Sequence, residues 1–389
     1  MKYIIIVPDG MADFPIQDLG KKTPLEYAKT PNMDTLAKTG LCGAVNNTPE
    51  GFTPGSDIAN MNILGINPKK YHSGRAPLEA ISEDIPLTRN NLIYRLNFVT
   101  IKRNIMKDFT AHHISTKDAK KLIKYLDKNL KKKFGDVFNL HSGVSYRNLL
   151  IFHNKKDTHF DYTPPHNITD QDISNYMPSR DDAIYHIMEE AHNLLKNKKI
   201  NTTKATDIWL WGQGKIKKFP NFTDRYKIKG SMITAVDLLK GIGKAYGLEI
   251  LKVPKITGYY DTSYENKAKY ALASLKKNDF VFIHIEAPDE AGHEGNVKQK
   301  VKAIENVDKK LLGYILKNIS FSDYKILILP DHRTPIRHKT HTSDDVPFLI
   351  FSSSKSYKIN CVKYNEKIIK KTKIIFKEGY KLINYFFKV

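Results

Sequence analysis

The segment "DFVFIHIEAPDEAGHEGNVKQKVKAIENVDKKLLGYILKNISFSDYKILILPDH", residues 279–332, decides the fold. It opens with a short apolar run, continues through a long amphipathic stretch, and closes with a second short apolar run. Short apolar runs bounded by turns predict buried strands, and helical spacing of apolar residues predicts a helix between them. A strand, a helix and a strand in this order are typical of a parallel α/β sheet with helices on both faces.

The same alternation extends in both directions from this segment. "KYIIIVP" near the start predicts another strand, and "TPNMDTLAKTG" predicts a helix with proline in its first turn. Between these parts the texture changes to short, basic, alternating stretches around one basic helix, which is typical of a separate α+β unit. We therefore predict an α/β core formed by residues 1–85 and 181–389, interrupted by a smaller inserted domain at 86–180.

The composition excludes several classes of protein. The 389 residues carry 63 basic and 41 acidic side chains, a formal charge of +22, but the lysines are scattered and no nucleic-acid-binding motif occurs, so we expect no nucleic-acid partner. The 2 cysteines exclude a disulfide framework and favour the reducing cytoplasm. The apolar run near the start is far shorter than the roughly 20 residues of a membrane span, so we expect no membrane association. The composition leaves the oligomeric state open.

Acidic and histidine side chains follow several of the predicted strands. They are Asp9, Asp289, His293, Asp331, His332 and His341, with His338 as an alternative to His341. Open α/β sheets bind ligands at the carboxyl ends of their strands, and aspartate and neutral histidine bind metals such as Mn²⁺ and Zn²⁺. Six such side chains exceed one tetrahedral site and suit two neighbouring metal ions, an arrangement that clamps a transferring phosphoryl group.

A candidate nucleophile is Ser56 in "TPGSDIAN". A hydroxyl at a helix N-terminus beside a divalent cation is activated for attack, because both lower its pKa. The simpler alternative is that Ser56 only caps the helix.

Several motifs together resemble one family. The segments "VPDGMAD", "KTPLEYAKTPNMDTLAKTG", "PGSDIANMNILG", "SGRAPLEA", "EAPDEAGHEG" and "PDHRTPIRHKTHTSDDVPFLI" resemble, in order and spacing, cofactor-independent phosphoglycerate mutases. The likeness is to the shorter archaeal-type group within the alkaline phosphatase superfamily. It runs from residue 1 to about 350 and includes the insert through "DFTAHHIS" and "GVSYRNLLIF". It implies an alkaline-phosphatase-like core.

The resemblance also implies a site and a reaction. One metal ion would be held by Asp9, Ser56, Asp331 and His332, and the other by Asp289, His293 and His341. Ser56 would take the phosphoryl group from 3-phosphoglycerate to give a phosphoserine, and the glycerate would turn and take it back on its other hydroxyl. We expect Mn²⁺, with Zn²⁺, Co²⁺ or Mg²⁺ as alternatives, and no requirement for 2,3-bisphosphoglycerate.

The insert, by the same resemblance, would be a lid that orients the substrate through basic groups. Arg75 and Arg147 are the candidates for contacts with phosphate and carboxylate. His166 and His113 are further candidates, for which a structural role is the competing interpretation. Arg333 departs from the family pattern, and we expect its side chain to point to solvent.

Three other functions are compatible with parts of the sequence. A related phosphotransferase, similar to proposed homoserine kinases, would need a nucleotide site, but no G-x-x-x-x-G-K-[ST] motif occurs. A simple metallophosphatase would not need the large insert. A basic nucleic-acid-binding protein with vestigial metal ligands would need clustered basic and aromatic residues. The sequence therefore favours a mutase acting on a small phosphorylated substrate.

Overall fold

The structure, a computed structural model, describes residues 1–154, 162–358 and 361–389. Two compact units are present: a core unit, Met1–His72 with Lys218–Val389, and an insert unit, Ser73–Lys217. The insert unit extends beyond both predicted limits, 86 and 180. It does so because the helix at 75–82 packs on the strand at 92–102, and the strand at 207–215 pairs with that same strand.

Both units contain strands and helices. The strands are β1 (Lys2–Pro8), β2 (Leu41–Val45), β3 (Leu92–Lys102), β4 (Ile105–Asp108), β5 (Phe138–Val144), β6 (Arg147–Phe152), β7 (Asp207–Lys215), β8 (Gly230–Ile233), β9 (Glu249–Ile250), β10 (Phe280–Ile285), β11 (Tyr324–Ile328), β12 (Val346–Ser352) and β13 (Ile375–Phe376). The α-helices are α1 (Pro24–Tyr27), α2 (Pro31–Thr39), α3 (Ser56–Ile63), α4 (Pro68–Tyr71), α5 (Arg75–Ser82), α6 (Thr116–Phe134), α7 (Ala183–Leu195), α8 (Phe222–Tyr226), α9 (Asp237–Ala245), α10 (Tyr264–Ser274), α11 (Ala287–Glu294), α12 (Val297–Asn306), α13 (Gly313–Asn318), α14 (Lys367–Lys371) and α15 (Leu382–Lys388).

The core unit contains one large sheet with strand order β13-β2-β12-β11-β1-β10-β8-β9. Strand β1 lies between β11 and β10 and is parallel to both, while β12 is antiparallel to its two neighbours. The apolar side chains of β1, Ile4, Ile5, Ile6 and Val7, are fully buried, as the uninterrupted apolar run predicts for a central parallel strand. The carboxyl ends of β1, β10 and β11 therefore lie side by side.

The insert unit contains an antiparallel sheet in which β3 pairs with β4, β6 and β7, and β5 pairs with β6. Helix α6 packs on β5, and α7 packs on β7 and α6. The side chain of Ser115 accepts a hydrogen bond from the amide of Asp118 and so caps α6. With its own buried core around Trp209 and Phe138, this unit is the predicted α+β insertion. The mostly parallel sheet of the core unit, together with this insertion, confirms the predicted α/β class.

The segment after β12 is part of the core unit. Its strand β13 pairs with β2, and the hydroxyl of Tyr364 donates to the carbonyls of Ile328 and Pro347 at 3.2 and 2.9 Å. Helix α15 ends the described chain, at the place where "EGYKLINYFF" predicts a final helix. No helix within the described ranges combines the length and apolarity that crossing a bilayer requires.

Candidate metal centre

Three adjacent strands of the core sheet deliver the predicted metal ligands to one edge. Asp9 follows β1, and Asp331 with His332 follows β11. Asp289 lies in the first turn of α11, which begins directly after β10. Because the three strands are parallel neighbours, their carboxyl ends bring these side chains together, as expected for an open α/β sheet.

The first group of ligand atoms belongs to Asp9, Asp331 and His332, whose atoms all lie within 4.8 Å of one another. All three side chains are buried. The hydroxyl oxygen of Ser56 lies 3.4 Å from Oδ2 of Asp9 and 3.4 Å from Nε2 of His332. The four residues that the resemblance assigns to one ion are thus neighbours in space.

Ser56 is the first residue of α3, and Gly55 occupies the N-cap position without a side-chain cap. The hydroxyl of Ser56 therefore faces the ligands and does not have the N-cap role that was the simpler alternative.

The second group consists of Asp289, His293 and His341, again with ligand atoms within 4.8 Å of one another. Asp289 and His293 are four residues apart on α11 and share one face of it, with Oδ2 and Nε2 3.1 Å apart. Nε2 of His293 lies 3.0 Å from Nε2 of His341. Two ring nitrogens that face each other at this distance suit a shared cation.

The structure also distinguishes His338 from His341, the two histidines that the sequence left as alternative metal ligands. Nε2 of His338 accepts a hydrogen bond from Arg337 at 3.1 Å, and its ring packs against Phe14. His338 is exposed, whereas the partly buried His341 lies beside Asp289, with Nε2 3.5 Å from Oδ1. The geometry therefore groups His341, and not His338, with the second set of ligands.

We expect His341→Ala to weaken the binding of one metal ion by at least about 100-fold, because one of its three protein ligands is lost. The matched variant His338→Ala should bind both ions like the unchanged protein. Metal content after dialysis against buffered Mn²⁺, measured by mass spectrometry, checks this. The reverse pattern would assign His338 to the site.

Hydrogen bonds from the core hold the ligands in place. The carboxylate of Asp331 accepts from the amide of Gly10 at 3.1 Å and from Nδ2 of Asn60 at 2.9 Å. The hydroxyl of Thr334 donates to Oδ1 of Asp289. Gly10 has φ +58°, and a Cβ at this position would lie 2.4 Å from that same Oδ1, so only glycine fits the turn after β1.

The carboxylates of the first group are buried and close together, as expected of residues that bind cations. Burial raises the pKa of Asp9 well above its usual value, and the charges of Asp331, Asp289 and Glu286 raise it further. Oδ1 of Asp9 is buried without a hydrogen-bond partner among the described residues. Buried carboxylates this close together need a compensating positive charge, and the aspartate and histidine donors suit Mn²⁺ or Zn²⁺.

In the second group, burial acts to raise the pKa of Asp289. Hydrogen bonds from His293 and His341 outweigh burial, so the pKa lies well below the usual value. Burial lowers the pKa of His293, but the hydrogen bond to Asp289, the charge of Asp289, the carbonyl of Lys339 and the charge of Glu290 together raise it to about 9. Asp289 is therefore ionised, which is the form in which a carboxylate binds a cation.

Arg333 does not point to solvent, contrary to our expectation. Its guanidinium donates to the carbonyl of Asp13 at 2.8 Å and to that of Asp345 at 3.0 and 3.2 Å, and it packs on the ring of Phe14. The side chain is buried because three carbonyl contacts replace its water. Arg333 therefore ties the ligand loop to the turn after β1.

Sequence reasoning missed two residues beside the first group, His284 and Glu286. Nε2 of His284 lies 3.0 Å from Oδ2 of Asp9, and its Nδ1 lies 3.5 Å from Oε2 of Glu286. Burial lowers the pKa of His284 to about 3. The available signal was a single histidine inside the apolar run "FVFIHI", directly upstream of Asp289.

The candidate substrate residues of the insert unit lie around a cluster of aromatic rings. The ring of His166 lies 5.5 Å from that of Trp211 and 5.9 Å from that of Phe109. Burial, followed by the nearby charges of Arg75 and Arg95, lowers the pKa of His166 to about 4. His166 is therefore a neutral neighbour of basic groups.

Arg147 and His113 lie at Tyr146 of the same cluster, and Arg75 is the third remaining candidate, whose charge acts on His166. The guanidinium of Arg147 lies over this ring at 5.6 Å, and the ring of His113 lies 6.5 Å from it. Arg95, which sequence reasoning missed, stacks on Trp211 at 4.0 Å and pairs with Glu79 at 3.0 Å. The insert unit thus brings three arginines and two histidines together, and the metal ligands form their own group in the core unit.

Comparison with known proteins identifies the superfamily and then the family to which the chain belongs. The model of the metalloenzyme superfamily matches residues 1–375, so the chain belongs to that superfamily. A 2,3-bisphosphoglycerate-independent phosphoglycerate mutase of Methanosarcina acetivorans is 45% identical over 362 residues, 90% of each chain. A probable enzyme of the same name from Geobacter sulfurreducens is 39% identical over 98% of each chain. The chain belongs to the family of 2,3-bisphosphoglycerate-independent phosphoglycerate mutases.

Solved structures are similar along the whole chain. The PH0037 protein from Pyrococcus horikoshii has a TM-score of 0.82 at 28% identity, covering 99% of this chain and 96% of that one. The cofactor-independent phosphoglycerate mutase from Thermoplasma acidophilum has a TM-score of 0.65 at 22% identity, with 100% and 99% covered. The second similarity supports the fold.

Proposed function

We propose that this chain interconverts 3-phosphoglycerate and 2-phosphoglycerate, with Ser56 as the phosphoryl acceptor. The family relationship gives the reaction. The observation that carries the mechanism is the position of the Ser56 hydroxyl, 3.4 Å from Asp9 and from His332 and next to a second ligand group. A nucleophile beside paired metal sites is the arrangement that phosphoryl transfer requires.

In the forward reaction, Oγ of Ser56 attacks the phosphorus atom, and the bond between phosphorus and the C3 oxygen of the substrate breaks. Ser56 loses its proton and the departing C3 oxygen gains one, so charge is conserved. The 2-hydroxyl of the glycerate then loses its proton and attacks the phosphoserine; the bond between phosphorus and Oγ breaks, Oγ regains a proton, and 2-phosphoglycerate is formed. Two divalent cations, held by Asp9, Asp331 and His332 and by Asp289, His293 and His341, would neutralise the phosphoryl charge and favour the ionised serine.

The first group positions Ser56 for this attack. Oδ2 of Asp9 lies within reach of the hydroxyl, and Asp331 is fixed by Gly10 and Asn60. Asn60 also donates to the carbonyl of Ser56 at 2.8 Å, so one side chain links the nucleophile to a ligand. Such fixed geometry contributes to catalysis because little reorganisation remains for the reaction itself.

We further propose that the ions are Mn²⁺, that 2,3-bisphosphoglycerate is not needed, and that the enzyme works in the cytoplasm. Mn²⁺ accepts both carboxylate and imidazole ligands. Family membership supports independence from the bisphosphate. The buried thiols of Cys42 and Cys361 are consistent with a reducing compartment. The only partner we propose is the small phosphorylated substrate.

The deciding experiment is an enolase-coupled assay that starts from 3-phosphoglycerate, with Mn²⁺ and without 2,3-bisphosphoglycerate. We expect formation of 2-phosphoglycerate with no release of inorganic phosphate. Turnover that depends on the added bisphosphate would contradict the proposal. Release of phosphate alone would indicate a metallophosphatase, and ATP-dependent phosphorylation of homoserine would indicate the related phosphotransferase.

We propose that the arginines of the insert unit orient the glycerate. Arg147→Ala should lower mutase turnover by about 10- to 100-fold, the effect of one lost charge-assisted hydrogen bond. Hydrolysis of p-nitrophenyl phosphate, which has no glycerate to orient, should change much less. Arg180→Ala, which removes an exposed arginine of the same unit, is the matched control and should leave both rates unchanged. Equal losses of both activities in Arg147→Ala would contradict an orienting role.

A further inference from the structure

Thr334 lies between the two groups of metal ligands, and its hydroxyl contacts one residue of each group. The hydroxyl donates a hydrogen bond to Oδ1 of Asp289, in the second group. The same hydroxyl oxygen lies 3.3 Å from Nδ1 of His332, in the first group. The side chain of Thr334 is fully buried, so water does not compete for these contacts. One hydroxyl therefore joins the two groups directly.

The two ring nitrogens of His332 face different surroundings. Nε2 lies 3.4 Å from the hydroxyl oxygen of Ser56, 3.5 Å from Oδ1 of Asp9 and 3.5 Å from Oδ2 of Asp331. An imidazole that binds a cation through Nε2 needs the lone pair on that atom, so its one N–H is on Nδ1. Nδ1 faces the oxygen of Thr334, which can accept this N–H because a hydroxyl has two lone pairs as well as one proton.

The proton of the Thr334 hydroxyl has one place to go. An ionised carboxylate can only accept a hydrogen bond, so this proton is donated to Oδ1 of Asp289. The oxygen of Thr334 then accepts from Nδ1 of His332. Two hydrogen bonds thus run in sequence, from the imidazole to the hydroxyl and from the hydroxyl to the carboxylate, and they leave Nε2 of His332 without a proton.

Thr334 is itself fixed by close packing in the core unit. Its carbonyl accepts a hydrogen bond from Nζ of the buried Lys300 at 2.7 Å, and the same ammonium pairs with Asp13 at 2.9 Å. A Cβ at Gly10 would lie 2.4 Å from the hydroxyl oxygen of Thr334, and a Cβ at Gly292 would lie 2.4 Å from its carbonyl oxygen. The hydroxyl therefore has a fixed position, because the space around Thr334 is filled on both sides.

We propose that Thr334 is a positioning residue that links the two metal sites: it holds His332 in the tautomer that presents Nε2 to the first ion, and it holds Asp289 in place for the second. This link rests on the two-ion site of the proposed function. Groups that orient metal ligands contribute about 10- to 100-fold to metal affinity. Both ions should therefore lose affinity when the hydroxyl is removed, although Thr334 is a ligand of neither.

The test replaces Thr334 with valine, which keeps the shape of the side chain without the hydroxyl, and with serine, which keeps the hydroxyl. Each ion is measured alone: the first in a His341→Ala background and the second in a His332→Ala background. Titration with Mn²⁺ and detection of the free ion by electron paramagnetic resonance give each affinity. We expect Thr334→Val to weaken each ion by about 10- to 100-fold, and Thr334→Ser to retain most of the affinity.

Thr372→Val is the matched control. The hydroxyl of Thr372 also makes two hydrogen bonds in the core unit: it donates to the carbonyl of Cys42 at 3.3 Å and accepts from the amide of Ile374 at 3.0 Å. Neither partner is a predicted metal ligand. This variant should leave both Mn²⁺ affinities unchanged. Losses as large as those of Thr334→Val would show that reduced stability explains the effect, and would overturn the link.

The outcomes distinguish the link from the two-ion site. Fewer than two Mn²⁺ ions bound to the unchanged protein would reject the two-ion site itself. Two ions in the unchanged protein, with normal affinities in Thr334→Val, would overturn the link alone. Weakening of one ion only would also overturn it, because the hydroxyl would then serve a single group. Thr334→Ala is a second variant without the hydroxyl and should show the same two losses. Failure of both variants to fold would make the hydroxyl a structural group and overturn the link.

Discussion

Replacing Ser56 with alanine should reduce mutase turnover by about four orders of magnitude or more, because the group that accepts the phosphoryl is removed. The aspartate and histidine ligands around it remain, so Mn²⁺ should be retained in part, although the first group loses one ligand. The same variant should also fail to accumulate labelled phosphoserine when it is mixed with ³²P-labelled 3-phosphoglycerate and quenched in acid. The enolase-coupled rate and the acid-stable label are the two measurements.

The control for this experiment is Ser320→Ala, which removes an exposed hydroxyl of the core unit and should leave the rate and the label unchanged. A Ser56→Ala variant that isomerises phosphoglycerate at the normal rate would show that another group accepts the phosphoryl. Complete loss of the first Mn²⁺ ion together with loss of activity would instead make Ser56 chiefly a metal ligand. The metal count therefore separates a nucleophile from a ligand.

Removing the metals should abolish turnover, by at least about three orders of magnitude, and destabilise the core unit. Asp9, Asp289 and Asp331 are all buried and close together, so their negative charges destabilise the folded state when the cations are removed. Each ion that binds only the folded state stabilises it by about 2.7 kcal/mol when its free concentration is 100 times its Kd. Chelation followed by desalting should thus lower both the rate and the melting temperature, and Mn²⁺ should restore both.

This metal-removal experiment needs a control for the chelator itself. Protein treated with chelator already saturated with Mn²⁺ should keep its activity and its melting temperature. Full mutase activity in protein shown by mass spectrometry to contain no metal would rule out the two-ion mechanism. An unchanged melting temperature in such protein would show that the buried carboxylates do not depend on cations for folding.

Much of the site could be read from the sequence because it depends on one topological rule. Asp9, Asp289 and Asp331 each follow a run of apolar residues, and parallel neighbouring strands end at the same edge of a sheet. The choice between His338 and His341 depends on how the loop folds between two strands. Spacing alone left it open, and the geometry groups His341 with Asp289.

The features that the sequence did not predict depend on contacts between side chains and partners elsewhere in the chain. His284 lies within an apolar strand and resembles an ordinary buried histidine until Asp9 and Glu286 are seen on either side of its ring. Arg333 was expected at the surface because a cation near two metals is unfavourable. Its carbonyl partners, at Asp13 and Asp345, are too distant in sequence to be predicted. The limits of the insert differ for a similar reason, since "TDIWLWG" predicts a strand without naming its partner β3.

The central position of β1 has a consequence for synthesis of the chain on the ribosome. Tyr3 of β1 pairs with Phe280 of β10, and translation at about 5–20 residues per second takes roughly 15–55 s to cover the distance between them. During that interval the apolar side chains from Ile4 to Val7 have no sheet to join, because neither neighbouring strand exists. The insert unit, by contrast, is contiguous, and every strand that it needs has been made when residue 217 is added.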